Sequence, residues 1–231
     1  MMKIGVIIAM EKEFVRVAAL LSDRSEVRHD GGTFVIGRLG DNEIVMMQCG
    51  IGKVNAAVGT ARLLGWCRPD LVVSTGVAGG ADVGMNVMDV VASTECVYHD
   101  VYCGSEVAYG QFVGMPARFP SPTEIVERAL RLNDDAAVTT PIHAGLIVTG
   151  DWFVDQKEKM AGILRLFPEA KAVDMESCAI AHTCHLYGVP FISLRIISDI
   201  PLKDTRASQY FDFWKKVEDS SFEVTRKFLE K

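Results

Sequence analysis

The chain has 231 residues, 49% of them hydrophobic and 23% charged, with a formal net charge of −6. This length and balance suit one large domain with a sizeable core and exclude a disordered chain. The acidic charge excludes a general nucleic-acid binder, because neutralising phosphates takes clustered Lys and Arg.

The first segment, residues 3–9, is an apolar run that predicts a strand. A signal peptide, with its basic start, longer apolar stretch and cleavage site, is not expected here. Residues 11–22 predict a helix, with Phe14, Val15, Ala18, Ala19 and Leu21 on its apolar side. Residues 33–38 and 43–48 read as a strand pair around the turn Gly40-Asp41-Asn42. Residues 53–65 carry Val54, Ala57, Val58, Ala61 and Leu64 at helical spacing. Leu71 to Thr75 predicts a buried strand, and 88–97 another β-rich run. Residues 100–121 hold Gly and Pro without periodicity and read as a long loop, a kind often tied to function. Helices are expected at 123–132, 155–165, 176–187 and 208–229, and strands at 143–149, 170–174 and 189–197.

No apolar run approaches the roughly 20 residues of a membrane span. Cys49, Cys67, Cys96, Cys103, Cys178 and Cys184 form no Cys-x-x-Cys pair, so reduced thiols in a cytosolic protein are expected. His182, Cys184 and His185 lack a third ligand at metal-binding spacing. The alternation predicts one domain over 1–231, with a mixed central β-sheet between helical layers.

Chemistry concentrates at the ends of the apolar runs. Asp174-Met175-Glu176 follows one strand and Ser198-Asp199 another, while Glu13 follows the first. Open α/β sheets bind ligands outside the carboxyl ends of their strands. Gly50-Ile51-Gly52 is a strand-to-helix turn without the third glycine of a dinucleotide fingerprint. Thr75-Gly76-Val77-Ala78-Gly79-Gly80 offers bare backbone on which a planar ligand can lie.

Six ordered segments resemble the 5′-methylthioadenosine/S-adenosylhomocysteine nucleosidases of the nucleoside phosphorylase superfamily. They are Met2–Glu13, Cys49–Ala57, Ser74–Gly80, Gly145–Asp151, Val173–Glu176 and Arg195–Asp199. The resemblance implies a three-layer α/β/α, nucleoside phosphorylase-like fold. It also implies hydrolysis of the N-ribosidic bond of adenine thionucleosides, no metal or organic cofactor, and a cytoplasmic homodimer.

Breaking that bond needs a proton for the departing purine, a base for the attacking water and a grip on the sugar. By resemblance, Asp199 is the acid for purine N7, oriented by Ser198, and needs a largely apolar pocket to hold a proton near neutrality. Glu13 aligns and deprotonates the water together with Arg195. Glu176 accepts hydrogen bonds from the ribose hydroxyls, and Met175 packs on the ribose face. Phe153 stacks on adenine, the Val154 backbone reads its edge, and Ala78 and Gly79 form the opposite wall. Ala9, Met10, Ile51, Val77, Asp174 and Phe211 complete the expected substrate-binding set, with Tyr210 the alternative to Phe211 for closing the pocket.

Relatives often carry Glu where this chain has Asp174, and Tyr98-His99-Asp100 recurs as a structural segment without a catalytic part. The 101–116 loop is shorter and less aromatic than in relatives. An aminofutalosine hydrolase is therefore a neighbouring reading. A phosphorolytic nucleoside phosphorylase would need a phosphate site where this chain has the acidic Ala9-Met10-Glu11. A non-catalytic nucleoside binder would have no need of Glu13, Glu176 and Asp199.

Overall fold

Strand alternation sets the layers. In β1 (Lys3–Ile8), Ile4, Val6 and Ile8 join one buried cluster and Ile7 joins another. Successive side chains of a strand point to opposite faces, so each face buries its own helices. The first cluster holds Val17 and Ala18 of α1 (Glu11–Ala19), Val126 and Ala129 of α3 (Thr123–Leu130), and Phe228 and Leu229 of α7 (Glu223–Glu230). The second holds Ala56, Leu63 and Leu64 of α2 (Lys53–Cys67) and much of α5 (Ser177–Tyr187). A third cluster seats Met160 and Ile163 of α4 (Lys157–Leu166). Gly5 lets α2 approach the sheet closely: a Cβ there would sit 2.5 Å from Leu63 Cδ2.

The computed structural model describes residues 1–203, 208–216 and 222–231. The remaining strands among these residues are β2 (Ser22–His29), β3 (Gly32–Leu39), β4 (Asn42–Gln48), β5 (Leu71–Gly80), β6 (Val90–Tyr98), β7 (Phe119–Pro120), β8 (Ile142–Thr149), β9 (Ala170–Asp174) and β10 (Phe191–Asp199). The remaining helix is α6 (Ser208–Lys216). The sheet order is β10-β6-β8-β9-β5-β1-β4-β3-β2, with β7 on β6, and β10 also pairs with β5. That extra pairing closes five strands into a ring. Parallel and antiparallel pairings are both present, as the mixed-sheet reading expects.

β1, β4, β5 and β10 run parallel, so their carboxyl ends share one edge. β9 meets the far end of β5, pairing Val173 with Gly79. That places Asp174 at the same edge.

Three expectations are corrected. The first helix stops at Ala19, and Ser22–His29 forms a strand that was not expected. It is an exposed edge carrying Asp23, Arg24, Glu26 and Arg28, so it lacks the apolar alternation of a half-buried strand. The glycine segment after Thr75 continues β5 to Gly80. In α2, Val54 is 75% and Val58 46% exposed, while Ala56, Gly59, Thr60, Leu63 and Leu64 face the core. Of the long final helix, 208–216 and 223–230 are helical, and 217–221 lies outside the described residues.

Candidate active site

The strand ends surround a concave cleft with about 640 Å³ of empty space, counted out into the open solvent at its mouth. Its walls bring together Ala9, Met10, Glu13, Ile51, Val77, Ala78, Gly79, Phe153, Val154, Asp174, Met175, Glu176, Arg195, Ser198 and Asp199. Trp152, Val173 and Tyr210 also line it. Phe211 does not: it is 58% exposed, and the preceding Tyr210 takes the wall position.

Glu13 is the third residue of α1 and is 1% exposed. Its Oε2 accepts the N–H of Met10 at 3.2 Å, the reach-back that an acidic third residue makes at a helix start. Its Oε1 accepts the N–H of Val77 at 2.9 Å, tying α1 to β5. Burial pushes its pKa up against the pull of Arg195 and these two amides. A raised pKa makes Glu13 a better proton acceptor.

Arg195 is fully surrounded. Its Nε lies 2.9 Å from Asp174 Oδ2, and its Nη2 lies 3.8 Å from Glu176 Oε2 and 2.9 Å from Ser74 Oγ. Burial works against its charge, but Asp174, Glu176 and Glu13 outweigh it and hold the guanidinium protonated. A buried charge needs this pairing to persist.

Asp174 lines the cleft, yet both its oxygens are engaged by protein donors. Oδ1 accepts Thr149 Oγ1 at 2.6 Å, and Oδ2 is bonded by Ser177 Oγ and paired with Arg195. In this geometry Asp174 holds Arg195.

Glu176 has more freedom. Gly52 N–H donates to its Oε1 at 2.9 Å, and Oε2 faces Arg195. Burial is the main cause that pushes its pKa up to about 7, with Asp174 adding to the rise and Arg195 opposing it. It therefore changes charge near neutrality.

Ser198 Oγ lies 2.6 Å from Asp199 Oδ1 and 3.3 Å from the Ala78 carbonyl. The register of β10 on β5 shifts between Ile197 and Asp199, a bulge of the kind that re-aims side chains beside sites. Asp199 is 4% exposed.

Two aromatic groups close the mouth. Phe153 meets Tyr210 edge-on at 5.2 Å between centroids. α6 is fixed over α1 because Lys12 Nζ sits 3.4 Å from the Trp214 ring centroid, and Gln209 Oε1 accepts the Ile200 N–H at 2.8 Å. Trp152 was missed by sequence reasoning although it adjoins Phe153 in the same exposed loop. The histidine cluster belongs to packing, since His182 stacks on Phe119 at 4.6 Å.

Fold and site together define a class of protein: the phosphorylase superfamily, whose profile matches residues 3–231. A 5′-methylthioadenosine/S-adenosylhomocysteine nucleosidase of Chromohalobacter salexigens is 43% identical over 211 residues, covering 90% of this chain and 88% of its own. A crystal structure of the same enzyme from Neisseria meningitidis, in complex with methylthio-immucillin-A, superposes with a TM-score of 0.91. It is 36% identical, over 99% of this chain and 98% of that one. A structure from Colwellia psychrerythraea 34H in complex with adenine gives a TM-score of 0.91 and 35% identity over 99% and 94%. The chain belongs to the 5′-methylthioadenosine/S-adenosylhomocysteine nucleosidase family.

Gly76 is the position where this geometry is least tolerant. Its φ is +152°, and a Cβ there would lie 2.8 Å from Arg195 Nη1 and 2.9 Å from Glu13 Oε1. Both neighbours are anchored, so neither yields cheaply. Gly76→Ala is expected to lower the unfolding free energy by about 1–3 kcal/mol in a urea titration. A variant as stable as the parent would show that Glu13 and Arg195 do not crowd this backbone.

Proposed function

We propose that the protein hydrolyses the N-ribosidic bond of 5′-methylthioadenosine and S-adenosylhomocysteine, releasing adenine and the thioribose. The observation that carries this reading is the meeting of Glu13, Glu176, Arg195 and the Ser198–Asp199 pair in one cleft. The adenine and methylthio-immucillin-A held by relatives of the same fold support the ligand class.

In this mechanism water attacks C1′ while its proton passes to Glu13. The C1′–N9 bond breaks, and its electron pair leaves with the purine, which takes a proton at N7 from Asp199. Separate acid and base groups flanking a bond, with room for water, are the logic of inverting glycoside hydrolysis. Glu176 accepts the ribose hydroxyls, in bonds that tighten as the sugar flattens toward the transition state. Met175 lies on the ribose, Phe153 on adenine, and Ala78 and Gly79 opposite. Tyr210, rather than Phe211, closes the mouth.

Added phosphate separates hydrolysis from phosphorolysis. Adenine release from methylthioadenosine is expected to be indifferent to it, and Asp199→Asn to lose turnover on adenine substrates while still binding them. Strict phosphate dependence with a ribose 1-phosphate product would overturn the reading.

The pKa of Glu176 sets an acid limb. Below about pH 7 Glu176 is protonated and loses its charge-assisted grip; above it the carboxylate forms. kcat/KM is expected to rise as pH rises through 7, and Glu176→Gln to remove that limb and cost roughly 10–100-fold. An unchanged limb in Glu176→Gln would assign it to another group.

We further infer one catalytic domain per chain, a cytoplasmic setting and a homodimer. Six free thiols accord with a reducing compartment, and no described helix is long and apolar enough to cross a membrane. The outer side of α2 exposes Val54 and Val58, and clustered exposed apolar residues mark an interaction surface. Ile51, Val54 and Val58, with Tyr102, Phe112 and Val113 of the long loop, are 40–75% exposed. A second copy is the partner these residues suit. Replacing Val54 and Val58 together by Asp is expected to give a monomer by light scattering, where the parent is a dimer. A doubly substituted protein that stays dimeric would place the interface elsewhere.

A further inference from the structure

Three charged residues outside the reacting groups form a closed ring beside the cleft. Lys53 Nζ lies 2.8 Å from Asp100 Oδ1 and 2.7 Å from Oδ2. Asp100 Oδ2 in turn accepts the N–H of Asp151 at 2.9 Å. Asp151 Oδ1 accepts the N–H of Lys53 at 2.9 Å, and its Oδ2 lies 3.6 Å from Lys53 Nζ. The Lys53 and Asp100 side chains are 23% and 10% exposed, so the pair is largely shielded from water. Shielding strengthens such a pair relative to an exposed one.

The ring joins three segments that are distant in the chain. Lys53 opens α2, Asp100 opens the long loop, and Asp151 opens the turn that carries Trp152, Phe153 and Val154 into the cleft wall. The turn is also pressed from below. Gly150 lies flat on His99, where a Cβ would come within 2.4 Å of the ring, and His99 meets Trp152 edge-on at 5.3 Å. Successive amides at the start of α2 serve two carboxylates: Gly52 N–H goes to Glu176 and Lys53 N–H to Asp151. α2 has no acidic residue in its own first turn, so these two fill the places that the helix dipole favours for anions.

We propose that Lys53 and Asp100 are positioning residues that lock the Trp152–Val154 wall against the α2 terminus and so set affinity for the purine base. Neither touches the reacting atoms. The inference rests on the proposed nucleosidase reading, in which that wall receives adenine. Without the ring, the wall must be ordered at the moment of binding, and that ordering is subtracted from affinity. The base is held by the wall in substrate and transition state alike, so the loss falls on binding more than on turnover.

The test compares the full-length protein with Lys53→Met, Asp100→Asn and the conservative Lys53→Arg. For each, KM and kcat for methylthioadenosine, the Kd of adenine from tryptophan fluorescence, and the thermal midpoint are measured. Lys53→Met and Asp100→Asn are expected to raise KM and the adenine Kd about tenfold with kcat changed less than threefold. Lys53→Arg is expected to restore most of the affinity. The proposal is overturned if adenine Kd stays within twofold in both charge-removing variants, or if kcat and midpoint fall while KM and Kd hold. Should Lys53→Met fail to fold, Asp100→Asn keeps the side-chain size and decides alone. Failure of the nucleosidase reading is distinguishable, because the parent would then bind adenine without releasing it from substrate.

Discussion

A single buried guanidinium organises this molecule. Arg195 belongs to β10, yet its surroundings come from β5 through Ser74, from the end of β9 through Asp174, and from the head of α5 through Glu176 and Ser177. Glu13 of α1 lies within its field. Removing one partner of such a buried set typically costs about 3–5 kcal/mol, because the other charge is stranded. Four elements are therefore held in mutual register by an interaction that hydrophobic packing alone would leave free to slide. The register is also the geometry of the cleft.

The same constraint gives the three carboxylates unequal properties. Asp174, paired with Nε and bonded by Thr149 and Ser177, is committed to the scaffold. Glu13 is bound by two amides and raised in pKa by burial, so it remains ready to take a proton. Glu176 receives one amide and lies 3.8 Å from the guanidinium, and burial, the main cause, raises its pKa to about 7 against both. Different hydrogen-bond partners and burial around one cation separate a structural acid, a base and a ligand-facing acid. Splitting the properties of neighbouring titratable groups is how one site assigns different tasks to the same functional group.

How much of this was legible in the sequence depends on the kind of interaction. Buried strands such as β1 and β5 announce themselves because both faces are covered, and the carboxylates at their ends follow from the sheet's polarity. β2 was not legible, since an edge strand bears charges to avoid pairing with other chains. α2 misled because Val54 and Val58 match a buried helical stripe as well as Ala56 and Leu63 do; only the packing on β1 chooses between the two faces. Tyr210 and Phe211 differ by one helical step, about 100°, and the apolar pattern of α6 does not say which step meets the cleft. Asp174 was ambiguous for another reason. Its partners Thr149 and Arg195 are distant in the chain, and only the pairing of β8 with β9 brings Thr149 beside it.

The charge balance also bears on which nucleophile this cleft admits. Glu13, Asp174 and Glu176 share one guanidinium, so once Glu176 is ionised the pocket around Arg195 has no positive charge to spare. A phosphate dianion entering here would be repelled by carboxylates already competing for the same cation, in a setting where burial weakens screening. Phosphate binding draws on unengaged basic groups or a free helix N-terminus. The start of α2, beside the cleft, already donates to Glu176 and Asp151. A neutral water meets no such opposition. It needs only an acceptor for its proton, and Glu13 is held by Val77 and Met10 with its basicity enhanced. Within a fold shared with phosphorylases, the placement of negative charge, more than the shape of the sheet, favours hydrolysis.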